Sequence, residues 1–180
     1  MILVPGQLPV LVKGLKQQDD LVLVQALAPA LEEFEINTAK RLCACLAQFA
    51  HETNGFKYFK ELGTADYFTK YDFRKDLGNS KVGHGNLYKG RGFIHITGLV
   101  NYERVGAAFG LDLVGHPELL ERLDLGAKAS CWWWKNHKLN EIADVGGLGS
   151  FKKITRVVNG GETGLSSRIS YWTIANTIWK

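Results

Sequence analysis

The sequence predicts a mainly α-helical fold, and three observations predict it. Apolar residues recur at helical spacing along most of the 180 residues. Caps and stops punctuate those stretches: Thr38 ahead of one, Gly110 behind another, Pro117 at the head of a third. One long stretch, from Gly55 to about Gly98, loses the period and fills with glycine and aromatic residues. So long an irregular segment inside a compact chain is usually functional.

The elements follow in order. "DLVLVQALAPALEEF", from Asp20, reads as a first helix capped by Asp19 or Asp20, with Leu23, Leu27, Leu31 and Phe34 in one row. Pro29 predicts a kink or a break there. "INTAKRLCACLAQFAHET" reads as a second helix capped by Thr38. Ala39, Leu42, Cys43, Leu46, Phe49 and Ala50 share its buried face. A small β-hairpin is expected around "LYKGRGFIHIT". "NYERVGAAFG" then predicts a helix ending at Gly110. "HPELLERLD" starts one at Pro117. "GAKASCWWWKNHKLNEI" reads as one apolar helix, "FKKITRVVNGG" as a short one stopped by a glycine pair, and "SSRISYWTIANTIW" as an amphipathic one.

Composition narrows the functions. Hydrophobic residues make up 46% and charged residues 22%, the balance of a globular chain and not a disordered one. No run of about 18 apolar residues occurs, so no stable membrane insertion is expected. The start, "MILVPGQLPVLVKGLKQQDD", is expected to be a mature N-terminus, because no charged region precedes its apolar residues. Cys43, Cys45 and Cys131 are odd in number and form no C-x-x-C pair. They read as small buried hydrophobes in a reducing compartment. The net charge of +4 suits an anionic partner only weakly. No basic run or recognised motif indicates nucleic acid.

The stretch "LAQFAHETNGF" poses the chemical question. H-E-x-x-H would make a zinc site, but Gly55 stands where the second histidine belongs, so no metal is expected. Projected at about 100° per residue, Glu52 lands about 60° from Phe49, at the edge of the buried stripe. It also lies in the last helical turn, where exposed carbonyls carry partial negative charge. Both features favour a carboxyl that keeps its proton, as a glycosidase acid must. A second carboxylate is then needed. Glu61, Asp66, Asp72 and Asp76 are all available, and spacing alone does not choose among them. An inverting hydrolase needs the two carboxyls about 6.5–9.5 Å apart.

Five segments in order, "LAQFAHETNGF", "YDFRKDLGN", "YKGRGFIHITGLVNY", "GLDLVGHPELL" and "ITRVVNGG", resemble the glycoside hydrolase family 19 catalytic domain. The resemblance is to the compact form of phage and prophage endolysins, relatives of plant-type chitinases. It runs from about Ile36 to Tyr171. It implies a lysozyme-like, family 19 chitinase-like bilobal single domain over residues 1–180, without a separate wall-binding domain. By that resemblance Glu52 matches the general acid and Glu61 the general base. Thr97 matches a hydroxyl that holds the attacking water, Asn101 an amide on the substrate, and Asn159 a position lining the cleft. Arg168 resembles an arginine pairing with carboxylates near the base, with Glu162 as its acidic partner. Beside Arg168, Glu61 would be held ionised, as a base requires.

Other positions carry two readings. Arg91 either contacts substrate or braces its loop with Asp76, and bracing is preferred. His95 stands where the family usually carries Gln on a cleft-facing strand. His84 stands where related endolysins often have Asp, and a solvated loop is expected there. Trp132, Trp133 and Trp134 are consecutive, so at least one points away from the core; helix packing is preferred over sugar stacking for it. Tyr58, Phe59, Tyr67 and Tyr71 are better candidates for sugar contact.

The expected function is an endolysin-type peptidoglycan hydrolase, muramidase-like, cutting β-1,4 bonds by an inverting two-carboxylate mechanism without a cofactor. A chitinase is the alternative, and a non-catalytic wall-binding module a third. The partner is the peptidoglycan glycan strand, met by a monomer made in bacterial cytoplasm and released through a holin pore.

Overall fold

The computed structural model describes residues 1–180. The helices are α1 (Gln7–Leu11), α2 (Gln17–Glu33), α3 (Ala39–Glu52), α4 (Ala65–Phe68), α5 (His84–Leu87), α6 (Leu99–Phe109), α7 (Leu123–Asn136), α8 (Leu139–Val145), α9 (Gly147–Asn159) and α10 (Leu165–Ile178). Short 3-10 turns occupy Thr69–Tyr71, Lys75–Leu77 and Pro117–Glu121. The fold is mainly α, as the periodicity predicts. No helix is long and apolar enough to cross a membrane.

Helix α3 is the axis of the molecule. It packs against α10, α8 and α9, so every residue from Leu42 to Ala50 is buried. Thr38 caps it as expected, its hydroxyl accepting the Arg41 N–H. α2 packs on α7, and α1 bridges α2 and α10. One core of 38 buried residues runs from Leu3 to Trp179 and includes the predicted row Leu23, Leu27, Leu31 and Phe34. Cys43, Cys45 and Cys131 are buried in it as free thiols. Burial pushes the Cys43 thiol up to about 11 and raises the Cys45 and Cys131 thiols as well.

Several expectations give way to geometry. Helix α2 starts at Gln17 after Lys16, so neither Asp19 nor Asp20 is its cap; both lie in its first turn. Asp20 is fully buried, and its carboxylate accepts the Gly6 N–H at 2.6 Å, fastening α1 to α2. Pro29 does not end α2, which runs on to Glu33. The tryptophan helix divides in two. The buried Trp134 indole needs an acceptor and finds Asn140 Oδ1 at 3.0 Å, while Asn140 donates to the Phe34 carbonyl. That arrangement needs a turn, which Lys138 makes at φ 55°. "HPELLERLD" forms a 3-10 turn from Pro117 before α7 begins. The expected hairpin shrinks to isolated bridges, Lys60 to Arg91 and Arg91 to Ile96.

Candidate active site

The end of α3 explains "HETNGF". Glu52 is the last helical residue. The Thr53 hydroxyl donates back to the Phe49 carbonyl at 2.6 Å and accepts the Phe56 N–H at 2.9 Å. Asn54, Gly55 and Phe56 then all turn left-handed, and the Gly55 N–H closes on the Ala50 carbonyl at 2.6 Å. The chain thus leaves the helix sharply, with Glu52 at its rim.

Glu52 does not sit in purely apolar surroundings. Arg168, on α10 and buried, donates to Glu52 Oε1 at 2.5 Å and to Gln48 Oε1 at 2.5 Å. Gln48 in turn donates to Thr155 on α9 at 2.8 Å. Gln48 lies one turn before Glu52 on α3, so a single guanidinium serves two acceptors on one helix face. The expectation that Arg168 serves Glu61 is therefore corrected: it pairs with the other glutamate. Nor is Glu162 the partner of Arg168. Glu162 pairs with Arg156 at 2.6 Å, on the exposed side of the α9–α10 turn. Next to Glu52, His51 Nδ1 lies 3.0 Å from the Ser167 hydroxyl. Burial and then the Arg168 charge push the His51 imidazole below its ordinary range, against the pull of Glu52.

Glu61 is held by different elements. Its N–H donates to the Gly90 carbonyl at 2.8 Å, and Gly92 N–H donates to Phe59. These bonds and the Lys60–Arg91 bridge pair the extended stretch 59–61 with 90–92. The Glu61 carboxylate accepts the Tyr71 hydroxyl at 2.9 Å and the Gly90 N–H at 3.4 Å, with Lys70 Nζ at 3.9 Å. Burial, then the bond to Glu61, pushes the Tyr71 hydroxyl above its ordinary range, so it remains a donor. The other acids of this segment have different roles. Asp72 accepts the Gly83 and Gly85 N–H groups, Asp76 pairs with Arg74, and Asp66 is exposed.

A groove of about 280 Å³ gathers most of the remaining candidates: Tyr71, His95, Thr97, Asn101, Trp133 and Asn159. His95 adopts φ 52°, unusual for a residue with a side chain, and its Nε2 lies 3.4 Å from the Tyr58 carbonyl. Since Tyr58 N–H donates to the Thr53 carbonyl, two hydrogen bonds join His95 to the end of α3. The Thr97 hydroxyl donates to the His95 carbonyl at 2.8 Å, and the Asn101 amide donates to the Thr97 carbonyl at 2.7 Å. Asn159 lies one turn after Thr155, whose hydroxyl bonds Gln48, so α9 links the groove wall to the Glu52 cluster.

Arg91 braces its loop, but through Glu121 and not Asp76. It donates to Glu121 at 2.9 Å, to the Leu87 carbonyl at 2.8 Å and to the Tyr102 hydroxyl at 2.9 Å. His84 is not in a solvated loop; it starts α5, half-buried, edge-on to Tyr88. Phe59 leaves the sugar-contact set, since it packs on Phe93 with ring centres 4.8 Å apart. Tyr58 and Tyr67 are exposed. Trp133 joins the groove wall while stacking on His137, whereas Trp134 is core and Trp132 packs on Phe109. Sequence reasoning missed Gln48, Thr155 and Glu121. The signal for Gln48 was available: a polar residue in the middle of an apolar face needs a buried partner.

The family profile described as chitinase class I matches residues 26–145. The chain belongs to glycoside hydrolase family 19. A glycosyl hydrolase family 19 domain-containing protein of Haemophilus influenzae is 33% identical over 173 residues, covering 80% of this chain and 82% of that one. An endochitinase of Arabidopsis thaliana is 31% identical, covering 82% of this chain. The match spans only 51% of that plant protein, about half its length. The crystal structure of chitinase C from Streptomyces griseus shares the fold, with a TM-score of 0.75 over 97% of this chain and 91% of that one at 23% identity. The family 19 fold thus agrees with the sequence-based expectation.

Proposed function

We propose that this family 19 glycoside hydrolase cleaves the β-1,4-linked glycan of peptidoglycan with inversion, Glu52 acting as general acid and Glu61 as general base. The observation that carries the reading is the separate anchoring of the two glutamates. Arg168 on α10 holds Glu52, while Tyr71 and the Gly90 amide hold Glu61. Each carboxyl is fixed by an element of its own, so neither depends on the other for its position. In the reaction Glu52 delivers a proton to the leaving glycosidic oxygen, and Arg168 stabilises the carboxylate that this leaves behind. Glu61 takes a proton from the water that attacks the anomeric carbon. Thr97, Asn101, His95 and Asn159 present amide, hydroxyl and imidazole groups to the sugar and the water. His95 keeps the donor and acceptor of the glutamine usual in the family, and adds a group that can take a proton.

The reading extends to setting. The enzyme works as a monomeric catalytic unit, made in the bacterial cytoplasm and released to the wall through a holin-type pore. The three buried free thiols support a reducing compartment at synthesis. A second reading, a chitinase, is favoured by the names of the plant relative and the solved structure.

Mass spectrometry of digests of purified peptidoglycan and of a chitin hexasaccharide tests both. Soluble muropeptides carrying new reducing ends, with the α-anomer formed first by NMR, support the proposal. Turnover of the chitin oligomer alone establishes the second reading. Wall binding without turnover of either substrate overturns both.

A further inference from the structure

Beside the Glu52 end of α3 lies a second groove, of about 550 Å³, whose rim carries Lys13, Lys16, Asp19, Asn54, Lys57 and Tyr171. We infer that this groove binds the carboxylates of the peptide stems that a peptidoglycan strand carries, so that the enzyme reads the acidic decoration of the strand whose sugars it cleaves. The inference rests on the peptidoglycan reading and names what that reading needs: a feature that separates a charged wall glycan from neutral chitin.

Three observations support it. The first is charge. Lys13, Lys16 and Lys57 are all exposed on the rim, with Asp19 as the single opposing acid. The lysines of this chain that pair with an acid are Lys60, Lys70, Lys128 and Lys135. Those of the groove have no such partner and stand open to a ligand. They come from two segments far apart in sequence, so the fold, and not a basic run, brings them together.

The second is position. Asn54 follows Glu52 by two residues, and Tyr171 follows Arg168 by three on α10. Residues three apart on a helix are neighbours on one face. The groove and the Glu52–Arg168 pair therefore share α10 as a wall. A substituent on a sugar near Glu52 has a short path to the lysines.

The third is how the groove is built. Asn54, Gly55 and Phe56 take φ values of 50°, 73° and 60°, a run of left-handed residues, two of which carry side chains. Such backbone persists only where the surroundings hold it. Gly55 sits so close to the N-terminal segment that a Cβ there would meet Val12 Cγ1 at 3.0 Å and the Tyr171 hydroxyl at 3.7 Å. The lysines thus stand on a closely packed base. Lys13, Lys16 and Tyr171 also lie outside the residues 26–145 that the family profile matches.

The test reads binding apart from turnover. The full chain carrying Glu52→Gln is cosedimented with purified sacculi, with and without Lys13→Gln, Lys16→Gln and Lys57→Gln together. The expected result is a rise in Kd of roughly five- to ten-fold, the scale of three exposed ionic contacts. Sacculi whose carboxyls have been converted to amides should bind both proteins equally weakly. In the Glu52 background, the triple lysine variant should keep the wild-type kcat and KM on chitin oligomers. A control removes the same charge at the exposed Lys81, Lys153 and Lys180, away from the groove. An equal loss of binding in that control, or unchanged binding in the groove variant, overturns the inference. Failure of the wild-type enzyme to cleave peptidoglycan would instead overturn the functional reading, and the cosedimentation result would stand separately.

Discussion

Arg168 reaches across 116 positions of sequence to hold Glu52 by a charge-assisted hydrogen bond of 2.5 Å. The Arg168 side chain is 1% exposed and the Glu52 side chain 17%. Truncating a buried ion-pair partner leaves the other charge uncompensated, at a cost of roughly 3–5 kcal/mol. Arg168→Ala should therefore lower stability on that scale, because Gln48 loses its partner too. Urea denaturation monitored by tryptophan fluorescence measures it. Arg168→Lys, which cannot span both acceptors in one fork, should fall between. An unchanged midpoint for Arg168→Ala would show the pair to be idle.

Glu52 and Glu61 can be told apart by the leaving group. On glycan polymer, Glu52→Gln and Glu61→Gln should each lower kcat by about 10²-fold or more. A nitrophenyl glycoside leaves without help from an acid. Glu52→Gln should recover most of its activity on that substrate, while Glu61→Gln should not. The reverse pattern would exchange the two roles.

Gly90 is placed where a methyl group should reach the chemistry. A Cβ there would lie 2.8 Å from His95 Cβ and 3.2 Å from Thr97 Oγ1. The same residue bonds Glu61 through both its N–H and its carbonyl. Gly90→Ala should cost about 1–3 kcal/mol by overpacking. It should also reduce kcat at least about ten-fold, since misplacement of a base by a fraction of an ångström is expensive. Retained kcat with lowered stability would separate Glu61 placement from this turn.

Stability should fall in two steps as pH drops. His51 is held below its ordinary range by burial and by Arg168, so the unfolded chain takes up that proton first. Stability therefore declines as pH falls below about 6.5, the usual histidine value. Burial disfavours ionised Glu121, but Arg91 and Lys60 outweigh it and hold its carboxyl below the glutamate range. Its contribution is present above about pH 4.3 and is lost as pH falls through the lower folded value. Thermal melts from pH 8 to 3 should show both steps. His51→Gln should remove the first, and Glu121→Gln should shrink the second, to which the ion-paired Glu35, Asp76, Asp124 and Asp144 also contribute. A flat profile in the wild type would contradict both assignments.

Local signals in the sequence located most of the helices, whereas the family resemblance, and not periodicity, pointed to Thr97, Asn101, His95 and Asn159 in the groove. Thr38 marks the start of α3 and Gly110 the end of α6 because capping is decided within one turn. Burial of Leu23, Leu27 and Leu31 follows from period alone. The partners of the charged residues were not legible. Arg91 to Glu121 and Arg168 to Glu52 join segments that only the fold brings together. The same holds for the break before α8, which depends on Trp134 meeting Asn140. Local periodicity sees neither kind of contact.

The interior position of Cys43, Cys45 and Cys131 has a practical outcome wherever the chain is exposed to oxidant. Thiolate is the species that attacks disulfides and peroxides, and burial suppresses it at all three. The folded protein should neither cross-link nor lose activity when moved between reducing and oxidising media, and alkylating reagents should label it only after unfolding.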